Sequence, residues 1–359
     1  MTTLAALATR NAEFYGNKVF DSNAIRAMRP SLRPMALPWL SARRELCERG
    51  ISLVTADQVA RPSEAVLIAY DWTPDAERLV QQGAQPAALL SFEPPVIAWW
   101  LYAYLPSVSA RFVHTLWFEG ARARAKGRFH RLLFPQAFPD AQQPATPWRS
   151  RRFLTMINSN KVLARARDLP RWFDKPREVS LRRELAALRY PPIGRDSYRV
   201  RLAAIDAFAD RGDFDLFGEG WQVRHPGTSV RLHAQAKRAY RGTIQDKFAT
   251  LRQYRFALAI ENTRFTGYVS EKLFDCIFAG TIPIYDGAPD ISDYIPADAF
   301  IDLRQFSNWS TLEEYLRDMT DADAASYISA GRDYLGSADF RKFSGDAFAG
   351  ELADALTDA

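Results

Sequence analysis

Cysteine is almost absent: Cys47 and Cys276, far apart among 359 residues, make neither a disulfide framework nor a zinc site, and they suit a reducing compartment. Histidine is nearly as sparse. His114, His130, His225 and His233 show no metal-ligand spacing, so no metal is expected. No apolar run is long enough to span a membrane as a helix. The longest, residues 96–105, would reach roughly 15 Å, about half of a bilayer's hydrocarbon core. It is expected to be a buried helix or strand. The stretch 1–16 lacks the basic start, long apolar core and cleavage site of a secretory leader. Internal repeats and low-complexity tracts are missing too. These absences lead to the expectation of a soluble, cytoplasmic protein.

What is present is ordinary globular composition, 47% hydrophobic and 25% charged, with enough chain for two domains. The net charge is +5, with basic stretches around Arg122–Arg128, Arg149–Arg152 and Lys237–Arg241. Phosphate neutralisation drives nucleic-acid binding. Here acidic residues are interspersed and no helix-turn-helix, zinc-finger or RNA-binding signature occurs, so nucleic acid is not the expected partner. Such a surface suits anionic small molecules or lipid headgroups instead.

Along the chain, strands are expected at Ile51–Thr55, 65–69 and 87–92, with a helix over 74–82 between the second and third. That order predicts a parallel sheet wrapped by helices. Proline-rich residues 134–148 predict a linker, dividing the chain into domains 1–148 and 149–359. The second half repeats the pattern, with strands at 153–157 and Phe214–Phe217 and an amphipathic helix over 198–210. Residues 310–359 are expected to be mostly helical, and a return of their end to the first domain stays open. The result is an α/β protein of two Rossmann-like domains, whose parallel sheets would face a central cleft with ligands at the strands' carboxyl ends.

The densest information lies in residues 254–287. Phe256-Ala-Leu-Ala-Ile260 predicts a buried strand ending in Glu261-Asn262. A polar loop leads to Tyr268-Val-Ser270-Glu271-Lys272, and Leu273, Phe274, Ile277 and Phe278 fall on one helix face. Ser270 suits the N-cap and Gly280 the stop. Ile282-Pro-Ile-Tyr285 is the next strand, completing a βαβ unit. A helix N-terminus favours a phosphate, and Lys272 adds a full charge there. Glu271 is suited to sugar or ribose hydroxyls. The same serine–glutamate–lysine opening also starts ordinary helices, so spacing alone leaves both readings open.

The run Phe256 to Asn262, then Gly267-Tyr-Val-Ser-Glu-Lys-Leu273, then Ala279-Gly-Thr-Ile-Pro-Ile-Tyr-Asp-Gly287, resembles the donor signature of the α1,3/4-fucosyltransferases. The family pattern is Phe-Glu-Asn, Tyr-Val-Thr-Glu-Lys and a Pro-hydrophobic-hydrophobic-x-Gly strand end; Ile260 and Ser270 depart from its commonest letters. The resemblance implies a GT-B architecture and a GDP-fucose donor held by Glu261, Asn262, Tyr268, Glu271 and Lys272, with Lys272 on the diphosphate. It also implies an upstream arginine, for which Arg201 is the best-placed match and Arg199 the competitor. Asn158-Ser159-Asn160 resemble the family's Ser-Asn turn, as a loop cap or a ligand contact.

In the first half, Glu93 follows a strand, precedes Pro94-Pro95 and matches the family's glutamate in a Glu-Pro-like context. It is the expected general base of an inverting transfer, with a plain turn glutamate as the alternative. Trp99, Trp100, His114 and Glu119 are weaker acceptor-side candidates, and an aromatic cluster of this kind is as readily core packing. The implied activity is transfer of L-fucose to a hydroxyl of an N-acetylglucosamine- or glucose-containing glycan. No metal or other cofactor is implied, and the natural setting would be bacterial surface-polysaccharide synthesis, with peripheral contact at the inner membrane. The rivals are another nucleotide-sugar donor on the same fold, or a nucleotide- or glycan-binding protein without catalysis.

Overall fold

A computed structural model describes residues 3–29, 32–136, 146–160, 176–224 and 228–357, with the backbone alone given for 176–181. Most of the expected 134–148 linker lies outside the described residues, as does His225. The chain forms two compact units. One comprises Met1–Phe138, Thr266–Tyr268 and Arg341–Ala359; the other comprises Pro139–Phe265 and Val269–Phe340.

In the first unit, β1 (Thr3–Thr9), β2 (Ile51–Thr55), β3 (Ala65–Tyr70), β4 (Gln85–Leu90), β5 (His114–Trp117) and β6 (Arg128–Arg131) form one sheet in the order β2-β1-β3-β4-β5-β6. Every neighbouring pair is parallel. β1 has no strand signature in its sequence, being rich in alanine rather than β-branched residues. Its place between β2 and β3 decides the matter: Ala5, Ala6, Leu7 and Ala8 are all fully buried, and tertiary packing overrides weak local propensity. The crossover from β3 to β4 runs through helix Pro74–Gln81, whose N-cap Thr73 accepts from the Ala76 amide. The apolar run at 96–105 resolves into helix Trp99–Ser109, with Pro106 inside it.

The last helix, Gly345–Thr357, belongs to this first unit. Phe348 packs edge-on against Trp39 at 5.3 Å and against Phe92 at 5.5 Å. Trp39 in turn meets Tyr70 at 5.7 Å. The sequence-based boundary gave residues up to 359 to the second domain. The helix lies instead in the first unit's core, because its apolar face (Phe348, Ala349, Leu352, Ala353) is buried there.

In the second unit, β7 (Arg152–Ile157), β8 (Phe214–Phe217), β9 (Tyr254–Ile260), β10 (Ile282–Asp286) and β11 (Ile301–Asp302) form a parallel sheet in the order β11-β10-β9-β7-β8. Its core gathers Leu154, Met156, Phe208, Phe214, Trp221, Phe256, Leu258, Ile260 and Ile284. The expected βαβ unit is present as β9, helix Glu271–Ala279 and β10. Both units are therefore parallel α/β sheets, the class that the strand–helix alternation predicts. Among the described residues no helix is long and apolar enough to cross a membrane.

Candidate functional site

Consider first the second unit, at the carboxyl ends of β9 and β10. The Ile260–Asp286 register aligns the two strand ends, and the Glu261 amide donates to the Asp286 carbonyl at 2.8 Å. Glu261 is fully buried. A carboxylate removed from water must be compensated by donors or neutralise, and three donors converge on this one. The Ser270 amide donates to Oε1 at 2.7 Å, the Ser270 hydroxyl to Oε2 at 2.7 Å, and Lys272 Nζ to Oε2 at 3.1 Å. Lys272 also donates to Ser270 Oγ at 2.9 Å and lies 3.5 Å from Glu271.

Ser270 occupies the N-cap position of helix Glu271–Ala279, yet its side chain makes no capping bond. The hydroxyl is spent on Glu261 instead. The helix therefore opens with a lysine at its second residue and without the usual side-chain acceptor over its first-turn amides, an arrangement favourable to an anion. Gly280, at φ +66°, ends the helix in the left-handed conformation that its sequence position predicts.

Glu271 lies between two ammonium groups, Lys272 at 3.5 Å and Lys247 at 3.9 Å. Burial works to raise its pKa, but Lys272 and Lys247 outweigh that, aided by its own amide, and hold it at about 2. Lys247 also pairs with Asp275, whose pKa burial pushes up. Lys247, from the separate helix Lys247–Leu251, thus pairs with two carboxylates of the first turns, and Lys272 lies between Glu261 and Glu271.

Arg201 belongs to helix Tyr198–Phe208, and its Nη2 donates to the Ile260 carbonyl at 2.8 Å and to Asn262 Oδ1 at 3.0 Å. It is buried, whereas its competitor Arg199 is exposed on the same helix. The structure thus gathers Arg201, Glu261, Asn262, Glu271 and Lys272 around the ends of β9 and β10. Asn160 caps its own neighbourhood, donating to the Gly220 carbonyl at 3.0 Å and accepting from the Tyr198 hydroxyl. Arg264, whose Nη2 lies 2.6 Å from Asp286 Oδ1, is a further cation beside this strand end that spacing did not single out.

Tyr268 belongs to the first unit. It is buried, with its ring edge-on to Phe118 at 5.3 Å. Gly120 donates to the Thr266 carbonyl at 3.0 Å, and a side chain on Gly267 (φ +79°) would meet the Glu119 amide nitrogen at 2.9 Å. That close approach requires glycine.

Glu93 lies in the first unit, just past β4. One carboxylate oxygen, Oε1, accepts from Arg10 Nη2 at 2.9 Å. The Arg10 Nε atom lies 3.0 Å from Asp71 Oδ2, and the Ser91 hydroxyl donates to Asp71 Oδ1 at 2.5 Å. Asp71 holds φ +64°, a strained value for a residue with a side chain. Arg10 and Asp71 went unrecognised in the sequence, being separated from Glu93 by whole strand–helix units. Trp99 and Trp100 are buried and packed edge-to-face at 6.2 Å, with Trp100 6.0 Å from the Arg10 guanidinium. His114 opens β5 at the amino end of the sheet, fully buried, with Nδ1 2.8 Å from His130 Nε2. It is therefore a core residue away from the strand ends where Glu93 lies. Glu119 follows β5 and pairs with Arg122 at 2.6 Å. Among the described residues, no cluster of three His, Cys, Asp or Glu side chains is placed to hold a metal ion.

Residues 200–330 match the family model described as glycosyltransferase family 10 (fucosyltransferase), C-terminal part. An alpha-(1,4)-fucosyltransferase of Arabidopsis thaliana is 40% identical over 72 residues, 20% of this chain and 18% of the relative. An alpha-(1,3)-fucosyltransferase, FucT, of Helicobacter pylori is 36% identical over 74 residues, 21% of this chain and 16% of the relative. These alignments thus span less than a fifth of each relative's own length. A solved alpha1,3-fucosyltransferase with GDP-fucose superposes with a TM-score of 0.52 at 15% identity, covering 99% of this chain and 90% of that one. At that identity the likeness is one of fold, and the fold shared is GT-B.

Proposed function

We propose, from the match of residues 200–330 to the model of glycosyltransferase family 10, that the chain transfers L-fucose from GDP-fucose to a glycan hydroxyl with inversion at the anomeric carbon. The observation behind this reading is the charge-locked opening of helix Glu271–Ala279, where Lys272 is held by buried Glu261 beside uncapped first-turn amides. Leaving-group charge develops on the diphosphate as its bond to the anomeric carbon breaks. A lysine at a helix N-terminus is suited to stabilise that charge electrostatically. Arg201 braces the Asn262 side chain next to it. Glu93 would take the proton from the acceptor hydroxyl as that oxygen forms the new bond, and GDP departs with the former bonding pair. The acceptor would be an N-acetylglucosamine- or glucose-containing glycan in α1,3 or α1,4 linkage, and the cationic groups named would stand in for a divalent metal.

Calorimetric titration with GDP, together with GDP release from GDP-fucose in EDTA, tests this reading. Lys272→Ala should weaken GDP binding by roughly tenfold or more, the scale of one charge-assisted hydrogen bond. The substitution also strands the buried Glu261 charge. A Lys272→Ala/Glu261→Gln double variant separates that structural cost from loss of the ligand contact. Undiminished GDP binding by both variants, or turnover abolished by EDTA and restored by a divalent ion, would overturn the arrangement.

A further inference from the structure

The first unit contains a charge chain built by strand register. β1, β3 and β4 are adjacent, with Thr9 opposite Tyr70 and Tyr70 opposite Leu90. The first residues beyond those aligned ends are Arg10, Asp71 and Ser91. The sheet therefore delivers a cation, a carboxylate and a hydroxyl side by side, two residues short of Glu93. Buried Asp71 takes the Ser91 hydroxyl on one oxygen and Arg10 Nε on the other, while Arg10 Nη2 reaches Glu93 Oε1. The backbone closes the frame: the Asp71 amide donates to the Leu90 carbonyl at 2.9 Å, and the Tyr102 hydroxyl donates to the Glu93 carbonyl at 3.1 Å. Desolvation opposes the charge on Arg10, but Asp71 and Glu93 outweigh it and raise the guanidinium's pKa, so this cation stays charged.

Two details go beyond simple packing. Asp71 pays for its place with a left-handed backbone at φ +64°, and such strain persists only where the surroundings enforce it. Arg10 also spends its planar fork on two different carboxylates, which a lysine cannot reproduce. Among the described residues, the Arg10 bond engages Oε1 of Glu93 alone.

We propose that Arg10, anchored by Asp71, is the positioning residue of this unit, aiming the Glu93 carboxylate by gripping Oε1 and leaving Oε2 to receive a proton. The inference rests on Glu93 as the base. Its content is a second layer, Asp71 and Arg10, without which Glu93 is present but misdirected. A displacement of about 1 Å at a reacting group can cost roughly a hundredfold in rate.

The test compares Arg10→Gln, Arg10→Lys, Asp71→Asn and Glu93→Gln in the full chain. It measures GDP release from GDP-fucose, with water and with N-acetyllactosamine as acceptors, alongside GDP affinity and Tm. A crystal structure of Arg10→Gln completes it. Glu93→Gln should lower kcat by roughly 10²–10⁴, the contribution of a general base. Arg10→Gln should lower kcat by about 10–100-fold with KM for GDP-fucose and GDP affinity unchanged, and its Glu93 carboxylate should be displaced. Arg10→Lys should recover part of the loss, and Asp71→Asn should fall between Arg10→Lys and Arg10→Gln. Full activity in Glu93→Gln, or no turnover by the wild type, sinks the reading of Glu93 as the base. With Glu93→Gln inactive, an Arg10→Gln variant of unchanged kcat, or with Glu93 still in place, overturns the positioning role alone. An Arg10→Lys variant as impaired as Arg10→Gln, with Tm and KM also shifted, reduces Arg10 to a structural residue and overturns it as well.

Discussion

Glu271 is the residue whose surroundings make the sharpest statement about pH. Its pKa of about 2 lies below the ordinary 4.5, chiefly because Lys272 and Lys247 favour the ionised form more than burial opposes it. A carboxylate with a depressed folded-state pKa contributes stability that is complete above about pH 4.5 and disappears as pH falls toward 2. Asp275, on the same helix, has a raised pKa and acts with the opposite sign, so the informative quantity is the difference between wild type and a single variant. Glu271→Gln should be less stable than wild type at pH 6, and that gap should close as pH falls from 4.5 to 2. Urea unfolding across this range measures it, and a gap constant with pH would show that Lys272 and Lys247 do not hold Glu271. At this scale the sequence was informative where partners are close along the chain: Ser270, Glu271 and Lys272 sit on one turn. It was silent on Arg10 and Asp71, because only the parallel register of β1, β3 and β4 brings them to Glu93.

At the scale of elements, two glycines make a paired comparison. Gly280 ends helix Glu271–Ala279 at φ +66°, and a side chain there would meet nothing within 4 Å. Gly280→Ala should therefore cost only the left-handed backbone penalty, about 1–2 kcal/mol. Gly218 follows β8 at φ +126°, and its added Cβ would lie 2.2 Å from the Asn158 carbonyl oxygen. Gly218→Ala adds a backbone collision to the strain and should cost roughly 3–5 kcal/mol. Equal losses in denaturant melts of the two variants would contradict this account. The helix end was legible because glycine after a periodic apolar face has one common meaning. β1 was not, since Thr3–Thr9 is alanine-rich and becomes a strand through burial between two neighbours. His114 is a related case: it opens β5 at the strand's amino end, fully buried, a position that only the sheet defines.

At the scale of the whole molecule, chain order and spatial order part company at the carboxyl terminus. Residues 254–265 and 269–287 follow one another through one βαβ unit, so their arrangement could be read directly, whereas the intervening Thr266–Tyr268 belong to the first unit. Helix Gly345–Thr357 follows the second unit in sequence but completes the core of the first. Its Phe348 meets Trp39 and Phe92, and all three are buried. Truncating such a ring to alanine typically costs about 3–5 kcal/mol, because the cavity left behind closes only partly. Phe348→Ala should thus destabilise strands more than 250 positions upstream, counted from Phe92 back to Thr3, while leaving β7 to β10 unaffected. Hydrogen exchange resolved by peptide distinguishes the outcomes: β1, β3 and β4 should lose protection, and Phe153–Ile157 and Phe256–Ile260 should keep theirs. Lost protection confined to the last helix would mean that it is an appendage and that the first unit's core is complete without it.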